Sequence, residues 1–107
     1  MLDDYSQDYS SSLRKFEEML KTNFTYFFDA QEIEFIALHF IDFGKINLAK
    51  KAIKIGNRQH PNNINILLLK SEILILEDKL ESAKEILLFI HKIEPNNQDA
   101  YIQKATI

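Results

Sequence analysis

Two stretches of the chain repeat each other at an offset of 34 residues. Gly44-Lys45-Ile46 runs through Ala49-Lys50 to His60-Pro61-Asn62-Asn63, and Asp78-Lys79-Leu80 runs through Ala83-Lys84 to Glu94-Pro95-Asn96-Asn97. A gapless period of this size marks one supersecondary unit that has been copied and stacked. It constrains the fold more than composition does, because each copy can bury its apolar face only against a neighbour. It also turns the search for function towards a binding face and away from a catalytic cluster.

The content of each copy is helical. The 107 residues include two Gly and two Pro, and both Pro sit at the repeat closures. So few breakers leave little room for the tight turns of an all-β domain and fit long helices. A length of 107 residues is one domain's worth of chain.

Thirteen basic and sixteen acidic residues give a net charge of −3. That balance argues against nucleic acid, whose binding draws on a net positive face. The absence of Cys removes disulfide and zinc–thiolate chemistry. The start, Met1-Leu2-Asp3-Asp4, has no basic and apolar leader, and apolar runs such as Ile73-Leu74-Ile75-Leu76 are too short to cross a bilayer. A cytoplasmic protein without a membrane partner is expected.

Residues 1–8 read as a flexible polar N-terminus. From about Tyr9 to Lys21, the residues Tyr9, Leu13, Phe16 and Leu20 fall on one helical face, with Ser10 to Ser12 as caps. Asn23 to Phe28 is dense in aromatic rings. It reads as a connector without a pairing partner, its rings covering the end of the first helix.

Asp29 with Glu32 matches a capping box and opens a second helix carrying Ile33, Ile36, Ala37, Phe40 and Ile41, which Gly44 ends. A third helix runs from about Asn47 to His60, with Leu48, Ala49, Ala52, Ile53 and Gly56 on one face. Pro61 stops it. Asn63 caps a fourth helix ending near Glu77, Leu80 to Ile93 forms a fifth, and Asn97 caps a sixth that carries Tyr101, Ile102 and Ala105.

The period, the two helices per unit and the closing Pro resemble the tetratricopeptide repeat family. In this register one unit is 30–63, the next is 64–97, and 98–107 is the first helix of a third. Residues 9–29 resemble a degenerate half repeat plus a linker, with Phe16 in a packing role. The family's small residue in the first helix falls on Ala37 and Ser71, and its Ala in the second helix on Ala49 and Ala83. Its larger residues fall on Phe40 and Leu74, and on Ile53 and Leu87. The chain departs where the family often has Trp (Ile33, Leu67), Leu (Ile36, Lys70) and Ala (Gly56, Ile90). The resemblance implies an all-α fold of antiparallel helical hairpins stacked as a right-handed α-solenoid.

It also implies a concave groove lined by the first helix of each unit. The corresponding positions are Gln31, Glu34, Leu38, Ile41 and Asp42, then Asn65, Leu68, Glu72, Ile75 and Leu76, then Asp99 and Ile102. This face is apolar with an acidic rim and has no Lys or Arg, so the clamp that some family members place around a peptide's terminal carboxylate is missing. The expected partner is another protein, presenting an apolar segment with basic flanks. Leu68→Glu or Ile75→Glu is then expected to abolish binding. The alternative is that Leu38, Ile41, Leu68 and Ile75 pack against further units of a longer array, the chain being a structural or oligomerisation segment. An uncapped sixth helix would support self-association.

No catalytic residue, cofactor site or metal site is expected. His39, His60 and His91 lie on different helices without a carboxylate or a second His at ligand spacing, and His60 and His91 suit helix C-termini. No glycine-rich phosphate loop or nucleophile motif occurs.

Overall fold

The computed structural model describes residues 3–107, with side chains from Ser10 onward. These residues form six helices and no strand: α1 (Asp3–Met19), α2 (Ala30–Asp42), α3 (Ile46–Gln59), α4 (Ile64–Leu76), α5 (Leu80–Ile93) and α6 (Gln98–Ala105). The bounds of α4 and α5 reproduce those of α2 and α3 at the 34-residue offset, and α6 opens where a third copy would. The described residues fall into two compact units, divided between Pro61 and Asn62.

The repetition is written in the backbone of the turns. Gly44 takes φ 73° and its counterpart Asp78 takes φ 61°. The next residue has φ −98° and ψ 67° in both copies, as Lys45 and as Lys79. Lys45 N–H donates to Phe40 O at 2.7 Å, and Lys79 N–H to Leu74 O at 2.8 Å. A left-handed residue after the last turn lets these amides fold back on orphan carbonyls, which ends the helix. The next helices begin on matching caps. Asn63 Oδ1 accepts Ile66 N–H at 3.1 Å, and Asn97 Oδ1 accepts Ala100 N–H at 2.9 Å.

In the first unit α2 packs against both α1 and α3. Its core holds Phe16 and Met19 from α1, Ile33, Ile36, Ala37 and Phe40 from α2, and Ala49, Ala52 and Ile53 from α3. Phe16 stacks at 6.0 Å on Phe28 and at 5.7 Å on Phe40. Gly56 is required by close approach, because a Cβ there would stand 2.5 Å from Ile33 Cγ2. In the second unit Leu67, Leu68, Leu87, Ile90 and Ala100 form one cluster from α4, α5 and α6. The small residues Ala37, Ala49, Ser71 and Ala83 are all fully buried.

Three details differ from the sequence reading. First, α1 begins at Asp3, within the stretch expected to be flexible; no Gly or Pro interrupts residues 3–19, so the helix continues. Residues 1 and 2 lie outside the described residues. Second, α1 ends at Met19, so Leu20 leaves the helical face and Met19 takes the buried place. Ser12 lies within α1 rather than at its start, and its hydroxyl donates to Glu32 Oε2 at 2.6 Å.

Third, the aromatic connector has a partner. Gln59 Nε2 donates to Tyr26 O at 2.8 Å, and Gln59 Oε1 accepts Phe28 N–H at 2.9 Å. One side-chain amide thus supplies the donor and acceptor that a neighbouring strand would. Of the connector's rings, Phe28 is buried while Phe24 and Phe27 face solvent.

Candidate functional site

The twelve expected groove residues occupy α2, α4 and α6, five in the first unit and seven in the second. In the first unit Gln31, Leu38 and Asp42 are exposed, and Glu34 and Ile41 are half-buried. In the second, Asn65, Glu72, Leu76, Asp99 and Ile102 are exposed and Ile75 is half-buried. Leu38 is 44% exposed, while Leu76 and Ile102 are each 62% exposed. The exception is Leu68, which belongs to the core cluster. A buried Leu replaced by Glu leaves an unpaired charge in that core, so Leu68→Glu tests folding and not a groove.

The face of the second unit is positioned by a polar link between α4 and α6. Gln103 Nε2 donates to Leu68 O at 3.1 Å, and Ser71 Oγ lies 2.5 Å from Gln103 Oε1 and 2.9 Å from Leu68 O. The single hydroxyl proton serves one of these two acceptors at a time. This link fixes α6 in its last turn, and Ile102 is the residue before Gln103. Nothing in the sequence marked Gln103; a buried Ser at a position otherwise filled by Ala was the available signal.

In the first unit α2 is tied to α1 through Glu32. Its carboxylate accepts the Ser12 hydroxyl and, at 2.9 Å, the Asp29 backbone N–H, and it lies 3.7 Å from Lys15 Nζ. Burial opposes ionisation of Glu32. The Ser12 and Asp29 hydrogen bonds and the Lys15 charge outweigh it and hold the carboxyl below its ordinary value. Lys15 also donates to Phe27 O and stands 4.5 Å from the centre of the Phe28 ring.

The three histidines occupy separate aromatic settings. His60 Nε2 lies 2.6 Å from Phe28 O, so this nitrogen carries the proton and donates. His39 is surrounded by Phe35, Phe40 and Phe43, the last at 4.7 Å between ring centres. His91 meets Tyr101 edge-on at 5.7 Å. Among the described residues no cluster of three or more His, Cys, Asp or Glu could hold a metal ion. No helix among them is long and apolar enough to cross a membrane.

Comparison with protein-family models, with curated proteins and with solved structures gave no match.

Proposed function

We propose that the chain is a non-catalytic protein-interaction scaffold whose hairpins are units of a tetratricopeptide-like solenoid. Its ligand would be an apolar, amphipathic segment with Lys or Arg flanks. One observation carries this reading. Leu38, Leu76 and Ile102 stand in solvent at positions that the repeat register assigns to a groove. Acidic Asp42, Glu72 and Asp99 lie on the same faces and would favour basic flanks.

A second reading has its own support. Tyr101 and Ile102 on α6, and Leu88 and Ile93 on α5, are each more than half exposed. Exposed apolar side chains of this kind favour self-association, as in a structural segment of an array.

One experiment addresses both. The chain and its Leu76→Glu and Ile102→Glu variants are titrated with an amphipathic Leu/Lys peptide while light scattering reports mass. On the scaffold reading the chain binds the peptide and each variant weakens binding by roughly tenfold or more, since burying one Leu or Ile contributes about 1.5–3 kcal/mol. A chain that binds no peptide, self-associates, and turns monomeric in Ile102→Glu would overturn it in favour of the second reading.

A further inference from the structure

A second surface lies wholly within the first unit and shares no residue with the groove positions. A cleft of about 230 Å³ opens between the end of α1, the turn at residues 22–25 and one side of α3. Its α3 wall carries Lys51, Lys54 and Arg58, and Leu20, Phe24 and Ile55 supply apolar surface. The three cations follow helical i, i+3, i+7 spacing on one stripe, which extends about 10 Å along the axis. All three are exposed, and none forms an ion pair with a described residue.

Two features set this surface apart from an ordinary solvated face. First, α3 contains no Asp or Glu at all, although acids outnumber bases in the chain. Second, the repeat does not need the first two of these charges. The counterparts of Lys51 and Lys54 on α5 are Glu85 and Leu88, while that of Arg58 is Lys92. If Lys51 and Lys54 served helix packing, the same backbone in α5 would carry cations at both places.

The opposite wall is held in place. Thr22 Oγ1 donates to Met19 O at 2.9 Å and accepts Phe24 N–H at 3.1 Å, a local turn that fixes the backbone bearing Phe24. The Phe24 ring is 76% exposed. A large aromatic presented to solvent from a hydrogen-bonded turn, facing a row of unpaired cations, suits a ligand with both acidic and apolar groups.

We propose that this cleft docks an acidic peptide segment in extended conformation, with Asp or Glu alternating with apolar residues. In an extended chain alternate side chains point to opposite sides and recur about every 7 Å. Carboxylates then meet the Lys51–Arg58 row while the intervening apolar side chain meets Phe24 and Leu20. Single-stranded RNA offers phosphates and stacking bases to similar groups. The net charge of −3 opposes either anion, but the cleft offers one exposed ring, Phe24, where a strand of stacking bases would draw on several, so the peptide is favoured.

Fluorescence anisotropy with a labelled peptide of alternating Asp and Phe tests this, with an Asn-for-Asp peptide and oligouridine as comparison probes. The expected result is saturable, salt-sensitive binding of the Asp peptide. Binding weakens roughly tenfold or more in Lys54→Glu/Arg58→Glu and also weakens in Phe24→Ala. Ile102→Glu leaves it unchanged, which separates this site from the groove. Should charge reversal unfold the chain by circular dichroism, Lys54→Gln/Arg58→Gln is read by the same criterion. Equal binding of the Asn peptide, indifference to the substitutions, tighter binding of oligouridine, or no binding of the Asp peptide would each overturn the proposal.

Discussion

Where α3 carries Gly56, its counterpart α5 carries Ile90, and the residue facing Gly56 changes in step from Ile33 to Leu67 at the matching place on α4. At this place the first hairpin fills its interior from Ile33 and leaves bare backbone at Gly56. The second supplies large side chains from both, with Leu67, Leu87 and Ile90 in one cluster. Yet the turns agree nearly atom for atom, in dihedral angles and in the bonds that close them. Local chemistry at turns and caps therefore keeps the period, and the interior is free to vary around it.

The widest test of that contrast lies at the paired interior sites. Ile90→Ala removes buried volume and is expected to cost about 2–5 kcal/mol. Gly56→Ala adds volume where none exists and is expected to cost about 1–3 kcal/mol, less up to about 1 kcal/mol regained in helix propensity. Denaturant melts measure both. A neutral Gly56→Ala would mean that Ile33 yields, and the two interiors would be less distinct than their side chains suggest.

Exchanging the turn residues tests the shared part. Asp78→Gly is expected to stabilise the chain by about 0.5–1 kcal/mol, and Gly44→Asp to destabilise it by a similar amount. Nothing lies within 4 Å of a Cβ built at Gly44, so the loss there would be conformational and not steric. If both substitutions shifted the melt in the same direction, conformational preference at the turn would not be setting the register.

The smallest expected effect compares the polar links. The first unit joins α1 to α2 through charged Glu32, and the second joins α4 to α6 through neutral Ser71 and Gln103. Because the folded-state carboxyl of Glu32 titrates below its ordinary value of about 4.3, its contribution is complete above that pH. It disappears as pH falls through the lower folded value. The stability gap between the chain and Glu32→Gln should therefore close on acidification. A gap independent of pH would show that Glu32 acts through shape alone.

Much of this was readable in the residues. Asn63, Asn97 and Gly44 announced the helix boundaries because each has a local job that few other residues perform. Asp78 was readable only through its match to Gly44. The buried small residues Ala37, Ala49, Ser71 and Ala83 were implied by the family resemblance that the period pointed to. Long-range pairing was harder to see. Gln59 reaches Tyr26 and Phe28 across more than thirty residues, and no local pattern marks a glutamine as a backbone substitute. Leu68 was misread because α4 is apolar nearly all round, so periodicity gave little guidance on which side meets the core. The α3 cations were visible as letters, but their opposition to Phe24 required the fold.

Residues 23–28 read Asn-Phe-Thr-Tyr-Phe-Phe, an uncharged aromatic run without Pro. A segment like that, laid out straight, is a template for stacking with identical chains into cross-β fibrils. Here Tyr26 O and Phe28 N–H are taken by Gln59, Phe28 O by His60 and Phe27 O by Lys15. Those three side chains act as gatekeepers. They claim much of the 26–28 backbone, and loss of Gln59 would free Tyr26 O and Phe28 N–H for another molecule.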